Sequence, residues 1–279
     1  MNLYKYMDEN RIKNILVDNK IRFTQPIYFN DPFEVKLSIE GIATETDLIR
    51  FEKDSFNNIV RELYNEQPKL FRDKINLENF FSIIDKDMIM KEFRNIVKNE
   101  NYISTIKKTF DNVINKVFGV LSLTTKNNNL LMWAHYADNH KGFVVEFNGK
   151  NEFFEPENSD NYIYNGLQKV EYSRIRPYSF LNDSKWEELL LIKSEEWSYE
   201  DEYRIFRRLN EADEVIGNIH LFEFSKEMIK SIYCGCNMSK ENVKEIIQLI
   251  SEEKELSHIK VYKAKVSKKY YELEFEKIK

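Results

Sequence analysis

The stretch LLMWAHYADNHKGF, residues 130–143, decides the fold, because it predicts a short helix followed directly by a turn and a strand. Asn129 precedes the stretch and is a favourable N-cap residue for a helix. The helix is expected to end near His140, where Gly142 can take the left-handed conformation that stops it. The stretch also holds two of the four histidines and one of the three tryptophans, so we expect a site or a constrained turn here.

Strands are predicted on both sides of this helix, over Phe118–Thr124 and Phe143–Phe147. Near the start of the chain, strands over Leu3–Tyr6 and Ile21–Thr24 flank a helix over Arg11–Asn19. In the last third, a helix that begins at Ser239 lies among four β-like segments, which are Ile219–Phe224, Ser231–Cys234, Ile259–Ala264 and Tyr270–Phe275. The pattern predicts an α+β fold with a mixed, mostly antiparallel sheet, rather than a regular βαβ array.

Residues 44–117 differ from these flanking regions, because their apolar residues recur at helical spacing with charged residues between them. We therefore predict a helical subdomain inserted at residues 44–117 of a single domain that comprises residues 1–279. The insertion would form either a cleft wall or a packing layer. A further helix is predicted from Ser184 to about Glu196.

The composition excludes several classes of protein. The 279 residues carry a net charge of −5 without a basic block, which disfavours a dedicated nucleic-acid surface. No run reaches the ~18 apolar residues that a membrane span needs, so no membrane association is expected. With Cys234 and Cys236 as the two cysteines, no disulfide framework is predicted, and a cytoplasmic protein is the simplest interpretation.

Common catalytic motifs are absent, including a phosphate-binding Walker loop, a dinucleotide-binding glycine motif and a nucleophile elbow. His135 and His140 are five residues apart, so they do not share one face of an ideal helix. The cysteine and histidine spacings do not match a zinc site either. We therefore predict no metal site.

His135 and Tyr136 are the first candidates for chemistry. A tyrosine can stack on a planar ring while a neighbouring histidine donates a hydrogen bond to the same ligand. The alternative is structural, with His135 bonded to a buried carbonyl and Tyr136 filling the core. Both interpretations stay open from the sequence.

The segment WSYEDEYR, residues 197–204, is the second candidate. In an extended chain, Glu200, Glu202 and Arg204 lie on one face, opposite Tyr199 and its neighbours. Two carboxylates beside a guanidinium form either a buried ion pair or a catalytic acid that arginine keeps ionised. Lys193 precedes the segment and can pair with one of the carboxylates.

The remaining candidates are polar residues near predicted strand ends. In the segment NDPFE, residues 30–34, Asp31 either caps a turn or faces a ligand, because loops after strands often line sites. Ser122 shares a strand face with Thr124 and can bond a ligand or a neighbouring backbone. The first strand offers Tyr4, Lys5 and Tyr6, which are similarly ambiguous.

Together these segments resemble a bacterial family of unknown function, DUF2971. The resemblance is carried by LYKY at residues 3–6, NDPFE at 30–34, Ser122 with MWAHYADNHKGF at 132–143 and Phe147, and Lys193 with the 197–204 segment. The quoted residues extend over most of the chain outside the helical insertion. The family name implies no function.

The order of these elements is also similar to the layout of ADP-ribosyltransferases, which bind NAD in a cleft between two small sheets. By that resemblance, Tyr4, Lys5 or Tyr6 would contact the adenine-side ribose, and Tyr136 would stack on nicotinamide. Glu202 would hold the nicotinamide ribose, kept ionised by Arg204. The sequence departs from the usual pattern, since neither His nor Arg occupies the corresponding position of the first strand.

Three hypotheses about function follow. In the first, the protein cleaves NAD or transfers its ADP-ribose to a macromolecular acceptor, as a toxin or phage-defence effector; Glu202, Tyr136 and His135 would be catalytic. Residues assigned to NAD binding are then Tyr4, Lys5, Tyr6, Ser122, Asp31 and Arg204. In the second, it is a non-catalytic binding or sensor module of a defence or stress operon. In the third, it is a metal-dependent nuclease that uses Asp31, Glu200 and Glu202.

Overall fold

A computed structural model describes residues 1–36, 38–155, 166–176, 178–180 and 190–279. These residues form helices and strands in mixed, mostly antiparallel sheets, which confirms the predicted α+β class. They divide into two compact units. The first unit contains the described residues of the ranges 1–36, 113–176 and 187–279, and the second contains those of the ranges 37–112 and 177–186.

The α-helices of the described residues are, in chain order, α1 (Ile12–Leu16), α2 (Glu45–Arg50), α3 (Phe56–Glu66), α4 (Lys69–Arg72), α5 (Leu77–Ile83), α6 (Lys86–Val97), α7 (Glu100–Val117), α8 (Leu130–Tyr136) and α9 (Lys240–Glu252). The strands of the first unit are β1 (Asn2–Met7), β2 (Lys20–Phe23), β4 (Phe118–Thr124), β5 (Phe143–Asn148), β6 (Gln168–Lys169), β7 (Glu171–Ser173), β9 (Ile192–Ser194), β10 (Glu202–Arg208), β11 (Glu214–Ile216), β12 (Ile219–Glu223), β13 (Ile229–Cys234), β14 (Lys260–Val266) and β15 (Leu273–Lys277). The second unit contains β3 (Ser38–Gly41) and β8 (Tyr178–Phe180).

The first unit is built around an eight-stranded sheet in the order β15-β14-β13-β5-β1-β4-β10-β6. Neighbouring strands are antiparallel except β13 and β14, which are parallel. Strand β5 lies near the middle, and its residues Phe143–Phe147 are buried on both faces, as their apolar run requires. One face packs on a large apolar core that includes α9, and the other packs on a smaller core around Trp133.

Strand β4 leaves its neighbour β1 after a single paired position, Tyr4 with Thr124. At its other end Val120 exchanges two backbone hydrogen bonds of 2.9 Å with Thr24, which directly follows β2. Strand β2 belongs to a separate three-stranded sheet, in the order β11-β12-β2. The divergence of β4 from β1 towards this second sheet opens a gap between the two strands.

The predicted helix after Asn129 is present as α8, and Asn129 caps it by accepting hydrogen bonds from the amides of Leu131 and Met132. Trp133 is fully buried, and its indole nitrogen donates to the carbonyl of Asn127 across 2.8 Å. The helix ends earlier than expected, at Tyr136. The next turn holds three residues, 138–140, at positive φ.

Gly142 does not stop this helix by a left-handed conformation, so that expectation was wrong. The left-handed positions belong to Asp138, Asn139 and His140, whose φ angles are 43°, 50° and 68°. Gly142 is needed for a close approach instead, because a Cβ atom there would lie 2.0 Å from the carbonyl oxygen of Met7. The turn therefore places the backbone of residue 142 in close contact with the end of β1.

The second unit is helical through most of its length, as the spacing predicted. Its first helix, α2, begins with a capping box in which Thr44 and Asp47 bond each other's backbone amides. Phe56, Val60 and Met90 form its small buried cluster. That this stretch is an insertion within one domain stays a prediction. None of the helices in the described ranges is long and apolar enough to cross a membrane.

The helix predicted over residues 184–196 is wrong where it can be compared. Residues 184–189 lie outside the described residues, but Ile192–Ser194 form strand β9, which pairs in parallel with β7. The condition of an extended chain over residues 197–204 is met only from Glu202 onward. Residues 195–200 form a 3-10 helix, Asp201 is left-handed with φ 44°, and the strand begins at Glu202. Glu200 and Glu202 therefore do not meet by strand alternation.

Candidate functional site

A cleft of about 370 Å³ lies where β1 and β4 separate. Its walls come from β1, β4, helix α8, residues 24–34, which follow β2, and the segment from Lys193 to Glu202. Tyr136 and Glu202 both line it, so these two candidate residues face the same opening. The volume is at the lower end of the range typical of small-molecule sites.

An ion cluster of five buried side chains lies beside this cleft. Lys193 is at its centre, with its Nζ 2.6 Å from Glu200 Oε2, 3.0 Å from Glu202 Oε2 and 3.3 Å from Glu34 Oε2. Arg204 binds Glu202 with two nitrogens, Nε to Oε1 at 2.8 Å and Nη2 to Oε2 at 3.0 Å. The same guanidinium also pairs with Glu34. Three carboxylates and two cations therefore share one buried volume.

Glu34, Glu200 and Glu202 all line the cleft, and Glu200 and Glu202 differ in their remaining hydrogen-bonding capacity. Glu202 accepts from two nitrogens of Arg204, from Lys193 and from Ser122. A carboxylate has about four lone-pair positions, so Glu202 is saturated. Glu200 accepts from Lys193 and from the hydroxyl of Tyr136, at 2.6 and 2.7 Å. About two of its positions remain for a ligand.

The charges of the cluster determine which group is ionised. Burial alone would raise the pKa of Glu202, but Arg204 and Lys193 hold it well below its ordinary value. For Glu34, burial and the neighbouring carboxylates outweigh Arg204 and Lys193, and its pKa is raised. Glu202 is therefore ionised near neutral pH, and Glu34 takes up a proton more readily than Glu202 does.

Tyr136 connects helix α8 to the cluster. Its hydroxyl donates to Glu200 Oε1 and accepts from Asn30 Nδ2 at 3.3 Å, so the ring is fixed at the wall of the cleft. His135 lines the same cleft but is exposed, and its ring lies 6.2 Å from that of Tyr136 and 6.3 Å from that of Trp197. The rings of His135 and Tyr136 both line the cleft, where a planar ligand can contact them.

Lys5 lies in the gap between the separating strands. Its Nζ donates to the carbonyl oxygen of Ser122 across 2.8 Å, bridging β1 and β4 where they no longer pair. Burial lowers the pKa of Lys5 to about 8, although Glu202 and Glu200 oppose the shift. A substantial share of Lys5 is therefore neutral in mildly alkaline solution, which is unusual for a lysine.

The other residues predicted for the site fall into two groups. Tyr4, Tyr6 and Ser122 line the cleft, and the hydroxyl of Tyr6 donates to the carbonyl of Lys126 at 3.0 Å. Arg204 is fully buried behind the carboxylates, with Nη1 donating to the carbonyl of Leu190. Asp31 is buried outside the cleft lining and accepts from the amide of Phe33, as a turn cap does. Ligand contact by Arg204 or Asp31 stays a prediction.

The cleft residues that sequence reasoning left off the predicted site include four with polar or charged side chains that bond within the site, Asn30, Glu34, Lys193 and Glu200. Lys193 and Glu200 were noticed as partners of an ion pair, but the 3-10 turn that brings Glu200 to Tyr136 has no periodic signal. Glu34 was quoted as part of a turn. Its placement depends on Val35, which follows it with a positive φ of 51°. That conformation is rare for a β-branched residue and cannot be read from the pattern.

The described residues contain no group of three or more His, Cys, Asp and Glu side chains arranged to hold a metal ion. The carboxylates of the cluster are bonded to Lys193 and Arg204.

Comparison with known proteins identifies one relationship. Residues 132–205 match the model of a family described as "Protein of unknown function (DUF2971)", which confirms the resemblance expected from the sequence. The match begins in α8 and ends in β10, so it includes Tyr136 and the cluster residues Lys193, Glu200, Glu202 and Arg204. Neither the curated proteins nor the solved structures give a significant match.

Proposed function

We propose that the protein binds NAD in the cleft and breaks the bond between nicotinamide and ribose, passing ADP-ribose to water or to a macromolecular acceptor. The observation that carries the proposal is Glu200, a buried carboxylate with two unused acceptor positions, which lines the cleft together with Tyr136. The position of the cleft, where β4 leaves one sheet for another, is similar to the two-sheet cleft of ADP-ribosyltransferases.

The chemistry needs a fixed negative charge near the ribose. When the glycosidic bond breaks, its electron pair leaves with nicotinamide, which becomes neutral, and positive charge develops on the ribose ring. A preorganised carboxylate stabilises that charge, as it does in glycoside hydrolysis. Attack by water then forms ADP-ribose and releases one proton to solvent, so atoms and charge balance. With an acceptor, the proton comes from the acceptor's nucleophile.

Within this proposal the two glutamates have different tasks. Glu200 contacts the ribose hydroxyls with its free lone pairs. Glu202 is a positioning residue, since its own capacity is filled and it holds Lys193 in place against Glu200. This assignment moves the ribose contact from Glu202, which the sequence favoured, to Glu200. Tyr136 supplies the ring on which nicotinamide stacks, and His135 lines the same cleft.

The experiment is to incubate the purified chain with NAD and to measure nicotinamide by chromatography, with and without candidate protein or nucleic-acid acceptors. Glu200→Gln should reduce release by about 100-fold or more, the usual effect of losing one preorganised electrostatic group. Glu196→Gln is the matched control, because Glu196 is exposed and lies outside the cleft lining. Absence of nicotinamide release with every acceptor would refute the proposal.

The cellular setting proposed here is the bacterial cytoplasm, in which the protein acts as a toxin or a phage-defence effector. Both cysteines are free, as a reducing compartment would keep them. Expression of the chain should then lower cellular NAD and slow growth, and Glu200→Gln should abolish both effects. Growth inhibition that persists in this variant at unchanged NAD would argue against the setting.

A non-catalytic module is the second candidate, and one observation favours it. Arg204, Glu202, Lys193 and Glu34 form a buried ion network that fixes the loop after β2 and strand β9 against β10, which is a structural task. In that case the cleft would bind a small ligand as a signal. Equilibrium binding of NAD without any turnover in the same assay would support this candidate.

A further inference from the structure

A second, smaller cavity of about 160 Å³ adjoins the cleft, and we call it the annex. The two cavities share four lining residues, which are Lys5, Tyr6, Thr24 and Tyr136. The remaining walls of the annex come from β2, from α1 and from the short 3-10 turn before α1. A ligand can therefore extend from the cleft into the annex past Lys5.

The annex is strongly basic in a protein that is acidic overall. Four cations line it, Lys5, Arg11, Lys20 and Arg22, against one carboxylate, Asp8, which gives a formal charge of +3 among the lining residues. Lys20 is itself paired with Glu214 at 2.9 Å and with Glu223 at 3.9 Å, so Lys5, Arg11 and Arg22 supply the charge that is left for a ligand. The whole chain carries a net charge of −5. Asp8 lies 3.8 Å from Arg11, and both side chains are more than a third exposed, so this pair neutralises little of the local charge.

Arg22 is the cation whose charge is least compensated. It lies on the polar face of β2, where Ile21 and Phe23 alternate with it and point into the core. Its Nε is buried and has no hydrogen-bond partner among the described residues. The guanidinium lies 5.6 Å from the ring centroid of Tyr28, a residue of the cleft wall. A buried N–H group without an acceptor is costly unless a ligand supplies one.

We infer that the annex binds a phosphate or diphosphate group, with Arg22 as its principal donor and Arg11 and Lys5 on either side of it. Guanidinium groups bind phosphate oxygens through paired, charge-assisted hydrogen bonds, which suits a ligand whose charge matches the excess of cations. This inference goes beyond the proposed reaction, because phosphate binding does not require that a glycosidic bond be broken. Together the two cavities take an aromatic or ribosyl moiety and its phosphates.

The test is isothermal titration calorimetry of the whole chain with inorganic phosphate, inorganic pyrophosphate and ADP. Pyrophosphate should bind more tightly than phosphate, and its affinity should fall as salt concentration rises. Arg22→Gln should weaken pyrophosphate binding about tenfold or more, as expected for the loss of paired charge-assisted contacts. Arg174→Gln, an exposed arginine outside both cavities, should change the affinity less than about twofold.

Unfolding curves of Arg22→Gln serve to check that this variant is folded. Arg22→Lys is a further variant, which keeps the charge but loses the planar pair of donors. Equal pyrophosphate affinity in the unchanged chain and in Arg22→Gln overturns the inference, as does the absence of binding to the unchanged chain. The outcome is separate from that of the NAD assay. If pyrophosphate binding depends on Arg22 but no nicotinamide is released, phosphate binding in the annex is supported and the proposed reaction is rejected. If nicotinamide is released but pyrophosphate does not bind in this way, the reaction is supported and phosphate binding in the annex is rejected.

Discussion

Arg204 binds both oxygens of Glu202, its neighbour two positions back on the same strand, through Nε at 2.8 Å and Nη2 at 3.0 Å. Two residues separated by two positions on a strand point to the same face, so β10 alone sets this pair. The bidentate contact occupies most of the carboxylate and keeps it ionised. It also explains why Glu202 supports the site by holding Lys193, whereas Glu200 has free acceptor positions for a ligand.

The buried ion cluster should make Lys193 indispensable for stability. Lys193→Met leaves three buried carboxylates with one guanidinium, and we expect the free energy of unfolding to fall by about 3–5 kcal/mol at neutral pH. Chemical denaturation measures the loss. Lys265→Met is the control, because Lys265 and Glu276 form a pair that is more than half exposed, and its loss should cost less than about 1 kcal/mol.

A second change should restore part of that stability. In Lys193→Met/Glu202→Gln the excess of buried negative charge falls by one, so the double variant is expected to be more stable than Lys193→Met alone. The depressed pKa of Glu202 predicts the direction of the pH effect. Its stabilising contribution is present above the unfolded pKa and is lost as pH falls through the folded value, so Glu202→Gln should reduce the acid sensitivity of stability. An unchanged acid midpoint would contradict this.

Lys5 should titrate near pH 8, well below an ordinary lysine. Reductive methylation with a carbon-13 label allows each lysine to be followed by NMR, and Lys5→Arg identifies the signal. Glu200→Gln should lower the pKa of Lys5 further, because Glu200 favours the charged ammonium. A titration midpoint near 10.5 in the unchanged protein would contradict this prediction, because it would show that water solvates Lys5 in the gap between β1 and β4.

The same shift has a consequence for stability. Between about pH 8 and the unfolded pKa near 10.5, the unfolded chain binds more protons at Lys5 than the folded chain. The contribution of Lys5 to the free energy of unfolding therefore rises with pH across this window. Lys5→Met should remove that rise, which denaturation at pH values on both sides of the window detects.

Tyr136 should act through its ring more than through its hydroxyl. Under the proposed reaction, Tyr136→Phe keeps the stacking surface and loses the bond to Glu200, so nicotinamide release should fall only modestly. Tyr136→Ala removes the ring and should reduce release much further, with a higher KM as well as a lower kcat. Equal losses in the two variants would assign the effect to the hydroxyl instead.

Gly142 should tolerate no side chain. A Cβ atom would lie 2.0 Å from the carbonyl oxygen of Met7, which is backbone and cannot move aside without shifting β1. We expect Gly142→Ala to reduce the free energy of unfolding by about 2–3 kcal/mol, as overpacking does. Gly217→Ala is the comparison, since Gly217 has a φ of 60° but open space around it, and should cost about 1 kcal/mol. Thermal unfolding ranks the two.

The elements that sequence predicted well are those with local signals. Strand β4, strand β5 and the start of α8 follow from an apolar run or from the N-cap Asn129, and they lie within two residues of the expected bounds. Strand β9 was predicted to be helical, and this was wrong. Its strand conformation depends on parallel pairing with β7, about twenty residues earlier in the chain, and such pairing leaves no periodic pattern in the sequence.

The site was only partly predictable for the same reason. Tyr136 and Glu202 were identified because they lie in dense, unusual segments, and both line the cleft. Glu200 reaches Tyr136 through a 3-10 turn and a left-handed Asp201, and Glu34 reaches Arg204 across 170 positions of sequence. Contacts of this kind depend on how separate segments pack, which residue types alone do not specify.

The shared wall between the cleft and the annex has a thermodynamic consequence. Lys5, Tyr6, Thr24 and Tyr136 face both cavities, so a ligand that fixes these side chains in one cavity changes what the other presents. If one fragment alters the affinity of the other, the second must alter the affinity of the first by the same factor. Binding of one small ligand in the cleft can therefore strengthen or weaken the binding of a second ligand in the annex, because Lys5 lines both cavities.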